Sequence, residues 1–529
     1  MQDSHEVRAM LDRIGEFRNE SLTDFSLSKN EIAFELALGQ VISEIGRKHP
    51  LLIGGEEVYT GQTLKSTNPA RPREVIGVFS RAGAVEAGSA IEAAGEAFES
   101  WSRTPTTERA AILLRAAELM RARRHELSAW MVYEVGKNWV EADADTVEAI
   151  DFLEYYARQI LELELVQVIQ APGERDTLHY IPLGVGAVIP PWNFPLAILV
   201  GMSSAAIVAG NTIVLKPASD APKIAWEYAR ILGEAGLPPG VCNLLTGPGG
   251  VAGETLVDHP RTRFIAFTGS KEVGLRIHTR AARPRPGQNW IKRTILEMGG
   301  KGAVIVDETA DLDAAATGIL VSAFGYQGQK CSAGSRAILV DEIYDTLLEK
   351  LLEQAPEMLT IGDPARREHI IGPVVSQRQY ETVLDYIEVG KREGQLLYGG
   401  KAPDRDGYYI EPTIFGGVSP DARIAQEEIF GPVLAVIKAR NWQHAIDIAN
   451  RTEFGLTGAY YSTDSERLAY ARREFHVGNL YFNRPCTGAL VGIHPFGGFN
   501  MSGTDSKAGG PDYLLLFTQA KSIAEKLPE

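Results

Sequence analysis

Residues 184–216 read GVGAVIPPWNFPLAILVGMSSAAIVAGNTIVLK: a β-branched run at Val185–Ile189, an apolar run of helical length near 196–209, and a second β-branched run at Thr212–Leu215. Short, wholly apolar strands separated by a helix are what a parallel sheet buried on both faces requires. The alternation continues with a helix near 222–235, strand Val241–Leu245, a helix near 250–258, strand Phe264–Phe267 and a helix near 271–282. This order predicts an α/β fold whose ligands lie outside the carboxyl ends of the strands. A second α/β set is predicted from Ala303 to Phe482. Its strands fall near 303–306, 337–340, 433–437, 457–461 and 478–482, and its helices near 311–325, 341–355, 377–393, 443–450 and 465–474.

Upstream, apolar spacing predicts helices at about 84–101, 106–136 and 144–163, and Leu51-Leu-Ile-Gly-Gly55 reads as a strand and turn. Glu6 to about Lys48 is mixed and charged, and reads as one or two surface helices forming an arm. Residues 164–182 change character. Leu165–Ala171 alternates like a strand, Pro172-Gly-Glu174 makes a turn, and Thr177–Ile181 returns as a second strand. An isolated two-stranded flap is marginal in water, so this one is expected to pair with something, such as a neighbouring subunit.

The 529 residues carry 53 Lys and Arg against 68 Asp and Glu, a net charge of −15, which argues against a nucleic-acid partner. The three cysteines, Cys242, Cys331 and Cys486, are far apart and lack CxxC spacing. That speaks against a disulfide framework and a zinc site, and a cytoplasmic location is expected. The first residues lack an apolar core behind a basic cluster, so no secretory leader is read there. The longest apolar stretch, Leu196–Gly210, is shorter than the ~20 residues that span a bilayer, and no membrane segment is expected.

Two βα turns compete as anion cradles. Gly247-Pro-Gly-Gly-Val-Ala252 matches the relaxed G-x-G-x-x-A pattern, while Phe267-Thr-Gly269-Ser270-Lys-Glu-Val-Gly274 offers a glycine turn, a hydroxyl and a helix N-terminus. Glycines needed only for tight turns explain either one equally. Cys331, in Gly325-Tyr-Gln-Gly-Gln-Lys-Cys331-Ser332, sits in a polar, glycine-punctuated segment, and Lys330 beside it would favour the thiolate. Nucleophile and structural thiol both stand at this point. Cys242 reads as strand packing, and nothing marks Cys486 as reactive. Glu297, at a strand end before Gly299-Gly300, reads as a general base with a raised pKa or as a capping carboxylate. Asn193, in Pro190-Pro-Trp-Asn193-Phe-Pro195, stands where an amide would reach a developing oxyanion, although asparagine also suits a proline-rich turn for local reasons.

In this order, Pro191-Trp-Asn193-Phe-Pro, Lys216-Pro-Ala, Phe267–Gly274, Leu296-Glu297-Met-Gly-Gly-Lys301, Gly328-Gln-Lys-Cys331, Glu428-Ile-Phe430-Gly-Pro432 and Pro495–Gly503 resemble the aldehyde dehydrogenase superfamily over about residues 50 to 520. Seven motifs in one order make the resemblance specific. Phe324–Ala333 and Glu474–Arg484, running into Thr487-Gly488-Ala489, are similar to the branch that oxidises L-glutamate γ-semialdehyde to L-glutamate. The resemblance implies a Rossmann-like NAD-binding domain (49–163 and 183–298), an α/β catalytic domain (299–495), an N-terminal helical arm (1–48) and a β oligomerisation flap (164–182 and 510–524).

It also implies roles. Cys331 would be the nucleophile, Asn193 the oxyanion donor and Glu297 the base for hydrolysis. NAD would be held by Lys216 at the adenosine ribose, by Gly269, Ser270 and Gly274 at the pyrophosphate, and by Glu428 at the nicotinamide ribose with Phe430 alongside. Position 219 is Glu in many NAD-preferring relatives; Ser219 here leaves NADP use open. For the substrate, Ser332, Gly488 and Ala489 would take the α-carboxylate, Phe194 and Phe496 the aliphatic part, and Glu148 the α-ammonium group. On sequence alone Glu148 reads as a solvated helix charge. No metal is implied. A dimer or a hexamer of three dimers is expected, with transient contact to proline dehydrogenase, since no such domain is read in the arm. The alternative substrate is another short semialdehyde such as succinate semialdehyde, which has no use for Glu148.

Overall fold

Ile265 and Phe267 pack with one group of buried side chains and their neighbours Phe264 and Ala266 with another, so both faces of this strand are dry. The computed structural model, which describes residues 4–528, carries that pattern through two seven-stranded sheets. In the first, Arg293–Glu297, Thr262–Thr268, Val185–Ile189, Thr212–Leu215 and Cys242–Leu244 run parallel in that spatial order; Leu51–Ile53 and Glu56–Val58 extend the edge antiparallel. Helices Ala197–Val208 and Trp139–Glu164 pack on one face, and Ala84–Trp101 and Lys271–Ala281 on the other.

The second sheet runs Gln395–Tyr398, Thr413–Gly416, Val433–Ala439, Arg336–Val340, Ala303–Val306, Thr457–Tyr461, Asn479–Phe482, parallel except at its first strand. Its alternate residues divide in the same way: Val304, Leu339 and Val436 face one core, and Ile305, Ile338 and Ile437 the other. Both predicted α/β sets therefore form, with boundaries within a few residues.

Three expectations need correction. The stretch 106–136 is two helices, Thr106–Ala122 and Arg124–Val135, because Arg123 leaves helical geometry at φ −108° and ψ 19°. Residues 47–80 form an unanticipated three-stranded sheet of Arg47–His49, Arg71–Ser80 and Thr63–Asn68. The flap is also built differently. The C-terminal stretch joins it as expected, Thr518–Lys526 pairing antiparallel with Glu174–Pro182 behind a 3₁₀ turn at Tyr513–Phe517, but the other expected strand, Leu165–Ala171, is no strand. That segment instead closes on side chains. Ala171 N donates to the Asp176 carboxylate at 2.8 Å, and the Gln170 amide exchanges bonds of 2.8 and 2.9 Å with the Asp176 backbone.

The arm is two helices, Ser4–Ile14 and Ser28–Ile42; residues 1–3 of the expected 1–48 lie outside the described residues. Among the described residues no helix is long and apolar enough to cross a membrane, and no group of side chains is arranged to hold a metal ion.

The C-terminal ribbon is anchored by two side chains. Arg293 Nη1 donates to the carbonyls of Leu515, Leu516 and Thr518 at 3.0, 2.6 and 2.9 Å, and Asn211 Nδ2 donates to Phe517 O at 2.9 Å. Arg293→Met would leave these carbonyls without their donor, at a cost of ~1–3 kcal/mol. The expected outcome is a lower urea midpoint, with earlier proteolysis in 515–528 than in the wild type; unchanged cleavage there would show that the guanidinium is not the anchor.

Candidate functional site

The two sheets meet where the turn after Val185–Ile189 reaches the segment after helix Leu312–Phe324. Asn193, 4% exposed, donates Nδ2 to the Gln329 carbonyl at 3.1 Å, two residues before Cys331. Its second amide hydrogen is left for another acceptor. The segment itself is set by a tight turn: Tyr326 and Gln327 take φ of 48° and 57°, conformations that side chains rarely adopt. Fixed bonds hold them there. Tyr326 OH donates to Val135 O at 2.9 Å, Gln327 Nε2 to Pro373 O at 2.8 Å, and Gln329 Oε1 accepts from Val375 N at 3.0 Å.

Cys331 is partly accessible. Desolvation raises its thiol well above the ordinary range, and the neighbouring carboxyl groups of Glu297 and Glu428 raise it further. This corrects the expectation from Lys330: its ammonium turns to Glu141 Oε1 at 2.7 Å and does not draw out the thiolate. The other two thiols are also raised by burial, Cys242 to about 12 and Cys486 to about 11. Cys242 lies in a strand of the first sheet, as read. Cys486 is buried behind the site, with Sγ 3.3 Å from Ser332 O.

Glu297 ends its strand, 8% exposed. One oxygen accepts from Gly498 N at 3.3 Å and the other has no partner. Burial pushes its pKa up to about 8, against smaller lowering effects of the Gly498 bond and Lys507. The Gly299-Gly300 turn that follows is demanded by packing. A Cβ on Gly299 would meet Glu428 Oε2 at 2.3 Å, and one on Gly300 the Cys331 carbonyl oxygen at 2.3 Å. Glu428 accepts from Gly300 N at 2.9 Å, and burial raises it to about 7. Phe430, with φ of 58°, sets its ring edge-on to Trp192 at 5.4 Å. Cys331, Glu297, Asn193, Glu428 and Phe430 therefore belong to one region.

The remaining cofactor candidates lie along the carboxyl edge of the first sheet. The Lys216 ammonium is buried and donates to Pro217 O at 3.0 Å; desolvation lowers it to about 8 and leaves further N–H groups for acceptors such as vicinal hydroxyls. Ser219 Oγ donates to Gly247 O at 3.2 Å. Gly249–Gly253 forms a π-type turn before a helix of one turn only, Glu254–Asp258. The other candidate turn instead opens the longer helix Lys271–Ala281. There Ser270 is the N-cap, accepting from Val273 N at 3.4 Å, Gly269 N donates to Glu297 O at 3.0 Å, and Gly274 lies against Met298. The residue set fits a dinucleotide: a hydroxyl-binding cation at one end, a helix N-terminus in the middle and a carboxylate at the other.

At the substrate side, Ser332 is buried and its carbonyl accepts from Thr457 Oγ1 at 3.0 Å. Gly488 takes φ of 77°, and Arg484 donates to the carbonyls of Thr487 and Gly488 at 3.0 and 2.8 Å, so this turn is held by a side chain rather than by its own amides. Phe496 is fixed by paired backbone bonds with Ala508. Glu148 is half-buried, not a fully solvated charge. It is raised to about 8, chiefly by desolvation and then by Asp145, while Lys137 and Lys330 pull it down.

Sequence reading missed Lys137 and Asp145, a fully buried ion pair at 3.0 Å. The Lys137 ammonium lies 4.2 Å from the Phe194 ring centroid, and Asp145 Oδ1 accepts from Ala197 N at 2.6 Å, so the pair braces the Asn193-Phe194 turn. The only local sign is Lys137 standing in the short link between helices Arg124–Val135 and Trp139–Glu164, just ahead of an acidic run.

Alkylation of Cys331 by iodoacetamide, read by peptide mass, should be slow at pH 7 and accelerate through pH 9 and above. Lys330→Met should leave that profile within about twofold, since the ammonium already answers Glu141; a large slowing would restore Lys330 as the activating charge.

The aldehyde dehydrogenase family model matches residues 58–523. The 1-pyrroline-5-carboxylate dehydrogenase of Geobacillus kaustophilus (strain HTA426) is 56% identical over 510 residues, covering 96% of this chain and 99% of that protein. A crystal structure of 1-pyrroline-5-carboxylate dehydrogenase from Thermus with bound NAD superposes with a TM-score of 0.95 at 54% identity, covering 97% of this chain and 99% of that one. Proline utilization A from Bdellovibrio bacteriovorus superposes with a TM-score of 0.95 at 45% identity; the match covers 97% of this chain and 53% of that longer one.

Proposed function

The chain belongs to the aldehyde dehydrogenase family, and from that premise we propose that it oxidises L-glutamate γ-semialdehyde, the open form of Δ1-pyrroline-5-carboxylate, to L-glutamate with NAD, in proline catabolism. The observation that carries the catalytic assignment is the meeting of three groups. Asn193 is bonded beside the Cys331 segment, and Glu297, with a buried oxygen lacking a partner, is the carboxyl group acting most strongly on that thiol.

Cys331 sulfur attacks the aldehyde carbon, and its thiol proton passes to solvent water as the S–H bond breaks and the C–S bond forms. The oxyanion is held by the free hydrogen of the Asn193 amide and by the Cys331 backbone N–H. NAD, held by the residues below, would supply the acceptor for the hydride of the adduct carbon, and Cys331 would keep the acyl group as a thioester. Glu297 in its ionised form then takes a proton from water, which attacks the acyl carbon and releases glutamate and the thiol. With Glu297 at about 8, its ionised fraction grows from pH 6 to 9, so hydrolysis quickens with rising pH.

Lys216 would hold the adenosine ribose, the turn with Gly269, Ser270 and Gly274 the pyrophosphate, and Glu428 and Phe430 the nicotinamide end. Ser332, Gly488 and Ala489 would take the α-carboxylate, Phe194 and Phe496 would flank the chain, and Glu148 would meet the ammonium group, which favours its ionised form. The domain division, with arm 1–48, cofactor domain 49–163 and 183–298, and catalytic domain 299–495, is part of this reading. So is a homodimer or hexamer joined through the ribbon, here Glu174–Pro182 with Thr518–Lys526. A cytoplasmic site is supported by three free thiols. Transient contact with proline dehydrogenase would deliver the substrate.

The test is steady-state NAD reduction with pyrroline-5-carboxylate. Wild type turns over, Cys331→Ala loses at least about 10³-fold, and Glu297→Gln accumulates an acyl adduct on Cys331. Turnover by the alanine variant overturns the mechanism, and equal kcat/KM for succinate semialdehyde overturns the substrate. In parallel, Ser219→Glu should depress kcat/KM with NADP by about tenfold or more, through repulsion of the 2′-phosphate, while activity with NAD changes little.

A further inference from the structure

The loop after Ser502 is stitched to both sides of Glu297. Met298 N donates to Ser502 O at 2.7 Å, Thr504 N to Leu296 O at 2.9 Å, and Leu296 N to Thr504 Oγ1 at 3.0 Å. From there the chain enters left-handed backbone at two residues with side chains, Asp505 at φ 52° and Lys507 at φ 45°. Such conformations persist only where surrounding contacts impose them. Here the contact is the Lys507 ammonium, which donates to Gly497 O at 2.7 Å and Gly478 O at 2.8 Å and lies 5.1 Å from the centroid of the Phe499 ring. The carbonyl of Gly497 belongs to the peptide whose N–H, on Gly498, is the donor to Glu297 Oε2.

We propose that Lys507 is a positioning residue for the hydrolytic step: it locks the Gly497–Gly498 peptide against Glu297, and its ammonium, opposed by Asp505, governs how readily that carboxyl group gives up its proton. This rests on Glu297 being the base. Lys507 Nζ and Asp505 Oδ1 lie 3.4 Å apart. The charged and titratable groups acting on or from Glu297 are Lys507 and Asp505 on this loop, the Cys331 thiol, and the Tyr513 phenol in the following turn. Lys507 is the one cation among them. Removing it discourages ionisation of Glu297, and removing Asp505 encourages it.

The experiment follows decay of the acyl adduct on Cys331 by quenching and intact mass from pH 6 to 10, in the full-length enzyme with pyrroline-5-carboxylate and NAD. Lys507→Met should move the midpoint of the rise to higher pH by at least about half a unit, Lys507→Arg should restore most of it, and Asp505→Asn should move it to lower pH. A purely structural lysine would lower rates without moving the midpoint, which overturns the proposal, as does a shift of both variants in one direction. If Lys507→Met does not fold, Asp505→Asn decides by itself, an unmoved midpoint being the negative result. Glu297→Gln separates the two readings. Adduct decay at the wild-type rate in that variant ends the assignment of the base. Slow decay there, with unmoved midpoints in the other variants, ends only the role of Lys507.

Discussion

Exclusion of water at the junction of the two sheets is the constraint from which the chemistry follows. Burial alone is the largest cause of the shifts at Glu297, Glu428 and Cys331, and no lysine or arginine among the described residues forms an ion pair with either carboxyl group. Acids held this way keep their protons near neutral pH. The resting site is therefore less charged than its composition suggests, and each ionisation within it must be driven by the reaction. A linkage consequence has a definite sign. Because the folded protein binds the Glu297 proton more tightly than the unfolded chain, this group's contribution to stability declines as pH rises between the ordinary carboxyl range and about 8.

Other buried charges in the region are of the opposite kind. Lys137 and Asp145, fully buried, are paired at 3.0 Å; Lys330 and Glu141, only part-buried, are paired at 2.7 Å. A buried pair stabilises little on balance, since desolvation of both ions offsets their attraction, but losing one partner costs about 3–5 kcal/mol. Such pairs act as braces. Lys137 lies under Phe194 and Asp145 holds the start of the following helix, so the turn carrying Asn193 is fixed from beneath. Paired charges position the site, and the unpaired carboxyl groups are left to exchange protons.

The sheets explain why these groups meet. Parallel strands buried on both faces deliver their carboxyl ends to one edge, where backbone must turn and side chains become available. Asn193 follows one such strand and Glu297 ends another, with Gly299 and Gly300 admitting Glu428 and the Cys331 carbonyl at distances that no Cβ would tolerate. Of the seven left-handed residues with side chains among the described residues, Tyr326, Gln327, Phe430, Asp505 and Lys507 lie in the segments around this edge, the others being Asn483 and Asn500. Strain is concentrated there and absorbed by the rigid layers behind it.

Periodicity and motif order by themselves determined the two α/β sets, the helices upstream and the candidates Cys331, Glu297 and Asn193, because each depends on residues near one another in the chain. The β-branched alternation of Leu165–Ala171 misled, since a strand exists only where a partner completes its hydrogen bonds, and that partner for Glu174–Pro182 came from residues 518–526. Lys330 misled for the same reason: adjacency to Cys331 implied activation, and the fold turned its charge to Glu141, 189 positions away. The burial around Glu297, Glu428 and Glu148, the pairing of Lys137 with Asp145 and the contacts of Lys507 were decided only by tertiary structure. Desolvation and charge pairing depend on what is packed around a group, and no local pattern records that.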